Sequence, residues 1–148
     1  MKVDTLLRHL RIAGRDGPVD LAMADGRIAA IGPGLVCEAV ETEDFDGAFA
    51  FPGFVESHIH LDKACILGRC RICEGTLAEA VAETARAKAG FTEEDVHARA
   101  SRVLDRAIVA GTTAMRSFVE VDPRAGMRSL AALLRLREER AHAIDLQI

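Results

Sequence analysis

The first third of the chain consists of short apolar runs separated by turn residues, a pattern typical of β-strands. One run with interspersed arginines covers Asp4 to Ala13 and ends at the breaker group Gly14 to Pro18. The next two runs, VDLAMA and RIAAIG, flank Asp25-Gly26, a dipeptide that tolerates positive φ and so predicts a two-residue hairpin turn. Residues 33–46 are polar and turn-rich, whereas AFAF before Pro52-Gly53 and FVESHIHL after it predict further β-segments. We therefore expect a β-rich first part.

A helical pattern begins after Gly75. Thr76 is followed three residues later by Glu79, and Thr92 by Asp95, an arrangement in which side chains at a helix N-terminus accept hydrogen bonds from otherwise unpaired amides. Two successive helices are thus predicted, and glycines at positions 90 and 111 are expected to end them.

The last part of the chain returns to strands. The pattern predicts a strand over 112–121, a turn over 123–126, a helix over 127–141 and a strand over 144–148. The resulting order β-α-α-β-α-β implies a parallel sheet with covered faces, the beginning of a barrel or of a doubly wound fold. Because the final strand reaches Ile148 without a cap or a following helix, we expect a truncation within a larger fold; a natural terminus is the alternative.

Composition and charge narrow the possible functions. A chain of 148 residues with 49% hydrophobic content can bury a core. Its net charge of −4 gives no field that attracts nucleic acid or an anionic membrane. No apolar stretch approaches the ~20 residues that a membrane span needs, and the N-terminus lacks the apolar centre of a signal peptide. We expect no nucleic-acid or membrane partner and a cytoplasmic location.

Three of the four cysteines lie close together as C-x4-C-x2-C, at Cys65, Cys70 and Cys73, and Cys37 lies apart from them. This spacing is compatible with a metal or cluster site. Such a site usually requires a fourth soft ligand, and none lies nearby. Our interpretation is that these cysteines are small reduced hydrophobic residues, with a cysteine metal site as the alternative.

The segment that carries candidate chemistry is FPGFVESHIHLDKA. Side chains alternate faces along a strand, so His58 and His60 point to one side and Ile59 to the other. Both imidazoles can therefore reach one Zn, Fe, Ni or other first-row ion, and Asp62 is close enough to orient a ligand ring from outside the coordination sphere, unless it forms an ion pair with Lys63. The histidines follow a Pro-Gly turn and stand at the C-terminal end of a strand, where parallel barrels place catalytic side chains.

At these residues the sequence resembles the amidohydrolase superfamily, and more narrowly its cytosine-deaminase-like branch. The motifs that carry the resemblance are DGRIAAIG, PGFVESHIHLDKA, EGTLAEAV and the terminal AIDLQI. The resemblance implies an α/β chain in two parts. Residues 1–50 form a small N-terminal β-domain, and residues 51–148 form about the first three strands of an incomplete (β/α)8 TIM barrel.

The resemblance also implies an activity, in which one divalent metal ion, Zn or Fe, activates water for attack on an amide or amidine carbon of a small cyclic or linear substrate. By this likeness His58 and His60 are metal ligands, Asp62 is an outer-shell acceptor and Leu77 lines the substrate pocket. The family's third histidine, its aspartate and its acid-base groups lie on later strands, so no catalytic residue is expected here. The resemblance is compatible with a homo-oligomer.

The sequence departs from the cytosine deaminases at two places. Their second barrel strand reads roughly R-T-H-V-D, whereas this chain has RSFVE at 116–120, in which Phe118 replaces a polar ring by an apolar one. The segment ILGRCRICEG, 66–75, also differs from the deaminase loop. Cytosine itself is therefore doubtful as the substrate.

The remaining polar groups have simpler explanations. His9, His97 and His142 are scattered and are expected to be solvated or packed. The acids at 93–95 complement the dipole at a helix N-terminus. Besides a hydrolase, we consider a non-catalytic remnant or an interaction module that folds only with a partner.

Overall fold

The computed structural model describes residues 1–71 and 73–148, so Ile72 of the loop that departs from the deaminases lies outside the described residues. The chain divides into two compact units, Met1–Pro52 and Gly53–Ile148.

The first unit is a β-sheet. Its strands are β1 (Lys2–Ile12), β2 (Val19–Ala24), β3 (Arg27–Gly32), β4 (Glu38–Asp44) and β5 (Phe49–Ala50). The order is β3-β2-β1-β4, with β5 also paired to β1. The predicted hairpin is confirmed, because β2 and β3 are antiparallel and Asp25 and Gly26 both have positive φ, 51° and 68°. Val3, Leu6 and Ala22 form the buried core of this unit.

Strand β4 lies within residues 33–46, where the sequence is polar and turn-rich and no strand was predicted. It pairs with β1 in parallel along most of its length. As an edge strand it buries none of its side chains fully, so it shows no alternation of apolar and polar residues that a sequence pattern could reveal. Its hydrogen bonds depend on β1, which is more than 30 residues away in the sequence.

The second unit follows the predicted order β-α-α-β-α-β, which is confirmed. Its three strands are parallel, in the order β6-β7-β8. They are β6 (Phe54–Ile59), β7 (Thr112–Ser117) and β8 (Asp145–Gln147), and the helices are α1 (Leu77–Lys88), α2 (Glu93–Val109) and α3 (Arg128–Glu139). Two 3-10 turns lie between β6 and α1, at Leu61–Lys63 and Leu67–Arg69. Both β6 and β7 end earlier than predicted, and the candidate site lies at their C-terminal ends.

The core of the second unit lies where α2 and α3 pack. Its buried members come from both helices, from β7 and β8, and from the segment after β6. They include Val96, Leu104, Leu133, Leu136, Met115, Leu146, Leu61 and Phe91. Helix α1 differs, because only Lys88 among its twelve residues is buried.

Both predicted threonine caps are present. In the predicted reciprocal arrangement, the carboxylate three residues later would accept the backbone amide of the capping threonine, and Glu79 does not do so. Thr76 accepts a hydrogen bond from the Glu79 amide at 3.2 Å, and Thr92 accepts one from the Asp95 amide at 3.1 Å. The Glu79 carboxylate instead accepts the amides of residues 73, 74 and 75, because the chain before α1 folds back over the helix end with Gly75 at a φ of 68°.

Gly53 begins the second unit at a position where a side chain does not fit. A Cβ atom there would overlap Cγ2 and Oγ1 of Thr113 on the neighbouring strand β7. We expect Gly53→Ala to lower the free energy of unfolding by about 1 to 3 kcal/mol, the usual cost of overpacking. Urea unfolding of the variant measures this cost.

The matched control is Gly68→Ala, because a Cβ at Gly68 would meet no atom within 4 Å. Adding Thr113→Ala to Gly53→Ala removes the two overlapping atoms but leaves Cβ of residue 113, 2.9 Å from the added atom, and should recover part of the loss. Equal stability of Gly53→Ala and Gly68→Ala would contradict the close approach of β6 and β7 at this position.

None of the helices formed by residues 1–71 and 73–148 has the length and apolar character required to cross a bilayer.

Candidate metal centre

Two histidine rings stand together at the end of β6. His58 lies near the C-terminus of the strand and His60 directly after it, and both side chains are exposed, whereas Ile59 between them packs against the core. The ring centroids of His58 and His60 are 5.4 Å apart, with the ring planes at 75°. With Zn–N bonds of about 2 Å, two imidazoles on one ion have ring centres roughly 5 Å apart, so this spacing fits a shared ion.

The chain supplies part of such a site. Within residues 1–71 and 73–148, no group of three or more His, Cys, Asp or Glu side chains is placed to hold a metal ion. Zinc in proteins is usually four-coordinate, and a catalytic site has three protein ligands and an open position. The two histidines therefore fit as a pair of ligands that other groups must complete.

Phe118 covers one side of the histidine pair. Its ring centroid lies 4.5 Å from that of His58 and 6.0 Å from that of His60. The ring is 43% exposed, so it borders the pair and also remains open to an approaching molecule. The residue that distinguishes this sequence from the cytosine deaminases is thus in contact with the candidate ligands.

Arg99 fixes the chain immediately after the histidines. Its guanidinium, 3% exposed, donates hydrogen bonds to the carbonyl oxygens of Asp62 at 3.0 Å and Ala64 at 2.6 Å. It also pairs with Asp95 at 3.0 Å and lies over the ring of Phe91, 4.5 Å from its centroid. Helix α2 therefore holds the 3-10 turn that follows the histidine pair.

Asp62, two residues after His60, is a buried polar residue, at 1% exposure. Its Oδ2 accepts a hydrogen bond from the Glu120 amide at 3.1 Å, and its Oδ1 is buried and has no hydrogen-bond partner among the described residues. Lys63 pairs with Glu120 at 3.6 Å, so the ion pair described in this region does not involve Asp62. A buried carboxylate with one free oxygen is suited to accept a hydrogen bond from the N–H of a ligand ring, and the outer-shell role stays a prediction.

Sequence patterns missed Arg99 and the ion cluster of Lys88, Glu120 and Asp122. A signal for Arg99 was present, because it interrupts the apolar face of α2 one residue before Ala100. No local sequence signal indicated the ion pairs of Lys88, because its partners lie more than 30 residues away in the sequence, beyond the end of β7.

Leu77 begins α1 and is 80% exposed. A cavity of about 400 Å³ lies beside this helix, and its wall includes Lys63, Cys65, Cys70 and Thr76 but not Leu77. The pocket-lining role of Leu77 therefore stays a prediction.

The four cysteines are free thiols. Cys65 and Cys73 are exposed, and the Cys70 thiol donates a hydrogen bond to the Ile66 carbonyl at 3.4 Å. Within the described part of the chain, these thiols belong to no three-ligand metal group.

Two of the other three histidines contact a carboxylate, and the third is exposed. His9, in the first unit, contacts Asp44 at 2.7 Å, His97 contacts Glu139 at 2.8 Å, and His142 is exposed.

Nearly the whole chain aligns with known hydrolases. No family model matches it. The solved structure of 5-methylcytosine deaminase from Klebsiella pneumoniae, liganded with 5-fluorocytosine, superposes with a TM-score of 0.86 and 32% sequence identity. This alignment covers 97% of the chain and 35% of the deaminase.

Two other proteins extend the comparison. N-isopropylammelide isopropyl amidohydrolase of Pseudomonas sp. (strain ADP) is 24% identical over 98% of the chain and 37% of that protein. Atrazine chlorohydrolase from Arthrobacter aurescens, solved with zinc, has a TM-score of 0.73 over 96% of the chain and 34% of that protein. At 22% identity, the latter likeness concerns the fold.

The structural neighbours are TIM-barrel proteins, which confirms the predicted α/β fold class. The chain spans about a third of the length of these relatives.

Proposed function

Because the chain belongs to the amidohydrolase superfamily, matching its cytosine-deaminase-like members, we propose that His58 and His60 are two ligands of a catalytic divalent metal, Zn or Fe. The reaction proposed is hydrolysis of a carbon-nitrogen bond other than a peptide bond. The homologues are hydrolases acting on such bonds. The observation that carries the proposal is the pair of imidazoles at the end of β6 with ring centroids 5.4 Å apart.

The residues of this chain have distinct parts in the proposed mechanism. When bound, a divalent ion supplies a hydroxide at neutral pH, because it lowers the pKa of its water towards ~7. His58 and His60 would hold the ion as neutral imidazoles through one ring nitrogen each. Asp62 would accept a hydrogen bond from the N–H of the other nitrogen of a ligand ring and so fix its tautomer. Phe118 excludes solvent from one side of the pair.

The proposed substrate is a small cyclic or linear compound with a hydrolysable C–N bond. The relatives named above act on 5-methylcytosine and N-isopropylammelide, as their names state. Phe118 offers an apolar surface where the cytosine deaminases have a polar ring, and an apolar surface cannot satisfy buried polar groups of a ligand. We therefore propose a substrate other than unsubstituted cytosine, and release of ammonia or an amine.

The missing parts of the site are proposed to lie outside these 148 residues. The described residues supply no third ligand. A (β/α)8 barrel takes ~250 residues, and its active site uses side chains from several strand ends. A third histidine, an aspartate and the acid-base group are expected from later strands. We further propose that the protein is cytoplasmic and has no nucleic-acid or membrane partner.

The test is release of ammonia or amine by the full product of the coding region, loaded with Zn²⁺ or Fe²⁺. The substrates are cytosine, 5-methylcytosine and N-isopropylammelide. We expect turnover that is abolished by His58→Ala in the full product, and none from the 148-residue chain. A full product that is inactive after loading, or that supplies no further ligand histidine and aspartate, would contradict the proposal.

A second candidate is a non-catalytic remnant or an interaction module that folds only with a partner. The observation in its favour is that residues 1–71 and 73–148 bring together only a pair of the candidate ligands. Measurable turnover by the 148-residue chain itself would exclude this role.

A further inference from the structure

An ion cluster surrounds a buried amine where α1 ends. Nζ of Lys88 lies 2.8 Å from Oε2 of Glu120 and 2.5 Å from Oδ2 of Asp122, and Nζ of Lys63 lies 3.6 Å from the same Glu120 oxygen. Hydrogen bonds to Asp122 and Glu120 raise the pKa of Lys88, and the bond to Lys88 lowers the pKa of Asp122 to about 2. Lys88 and Asp122 are therefore charged at neutral pH.

Lys88 is the buried attachment of α1. It is the only one of the twelve α1 residues that is buried, whereas Leu77 and Val81 of the same helix are exposed. Apolar burial contributes little to the attachment of this helix. The ion pairs of Lys88 therefore fix the position of the C-terminal end of α1 relative to the chain beyond β7.

The partners of Lys88 belong to the segment that contacts the candidate metal ligands. The Glu120 amide donates to Oδ2 of Asp62 at 3.1 Å, and the Phe118 amide donates to the Ile59 carbonyl at 2.8 Å. The Phe118 ring then lies 4.5 Å from the His58 ring. Residues 118–120 thus connect the ion cluster on one side to the histidine pair on the other.

The cluster does not act as simple packing. The Lys88 side chain is buried, but the side chains of Glu120 and Asp122 are 41% and 31% exposed, so solvent screens the attraction and the ion pairs contribute little to stability. The contacts of the cluster are directional, however, and fix positions that apolar packing leaves free. Among the described residues, the Glu120 amide holds one oxygen of the Asp62 carboxylate by a hydrogen bond, and the other oxygen is buried without a hydrogen-bond partner.

We propose that Lys88 is a positioning residue for the candidate metal centre. By holding Glu120 and Asp122, its amine sets the chain beyond β7 so that Phe118 rests against His58 and the Glu120 amide orients Asp62. This inference rests on the proposed function, in which the two histidines bind the metal.

The experiment compares Lys88→Met and Lys88→Arg in the 148-residue chain, with Lys2→Met as a control, because Lys2 is exposed in the first unit. Zinc affinity is measured by competition with a chromophoric chelator, at a temperature where circular dichroism shows every variant folded. The ring-current shift that Phe118 imposes on the His58 ring protons is measured by NMR without metal. Amide exchange at Phe118 and Glu120 is the third readout.

We expect Lys88→Met to weaken zinc binding by about tenfold, within the range known for residues that support metal ligands. It should also reduce the ring-current shift and speed exchange at both amides. Lys88→Arg should restore most of each effect, and Lys2→Met should change none. A folded Lys88→Met chain with unchanged zinc affinity and ring-current shift overturns the proposal.

The proposed function can fail separately. If the unsubstituted chain binds no zinc at His58, metal ligation by the pair is wrong. In that case the ring-current shift and the amide exchange of Lys88→Met test the positioning role of Lys88. If neither quantity changes, that role is wrong.

Discussion

Replacement of His58 or His60 by alanine is expected to lower the affinity of the chain for Zn²⁺ by at least about tenfold, since even residues that only support metal ligands contribute 10- to 100-fold. Each substitution leaves a single imidazole, so the gain in affinity from two ligands held together at the end of β6 is lost. Both side chains are exposed, so the fold should be retained. Isothermal titration with Zn²⁺ and circular dichroism measure the two effects.

His142→Ala is the matched control, because His142 is also exposed but lies beyond α3. The double variant His58→Ala/His60→Ala should bind no more zinc than unspecific surface sites do. If His142→Ala weakens binding as much as His58→Ala, or if the double variant binds like the unsubstituted chain, the metal is held elsewhere.

Replacement of Arg99 by methionine is expected to lower the free energy of unfolding of the second unit by roughly 3 to 5 kcal/mol, the range for breaking a buried ionic contact. Methionine fills a similar volume but cannot donate hydrogen bonds. The carbonyl oxygens of Asp62 and Ala64 would lose their bonds to the guanidinium, and Asp95 would keep only its contact with Arg69. Urea unfolding followed by circular dichroism measures the loss.

Arg102→Met provides the comparison, because Arg102 is an exposed arginine three residues further along the same helix. Its cost should stay within about 0.5 kcal/mol, as for most surface substitutions. Similar costs for the two variants would mean that Arg99 does not anchor the turn after the histidines.

Local signals in the sequence were sufficient for several elements. The Asp25-Gly26 turn, the threonine caps at Thr76 and Thr92, and the alternation that separates Ile59 from the two histidines all depend on residues at most three positions apart. Such features are caused by interactions between neighbouring residues, so a local sequence pattern predicts them. The resemblance then placed these elements in the correct fold class.

The features that were missed depend on distant pairing. Strand β4 exists because β1 supplies its hydrogen-bond partners, although its own side chains are mostly polar and exposed. Lys88 meets Glu120 and Asp122 only after β7 has been placed beside β6. The free oxygen of Asp62 likewise depends on which distant amide reaches the carboxylate. No local pattern encodes these contacts.

The most direct test of the proposed metal site is zinc X-ray absorption on the 148-residue chain loaded with one equivalent of Zn²⁺. The account predicts two imidazole ligands with Zn–N distances of about 2.0 to 2.1 Å, both lost in the His58→Ala/His60→Ala variant. Sulfur ligands at about 2.3 Å, which would indicate the cysteines, or an imidazole signal that persists in the double variant, would contradict it.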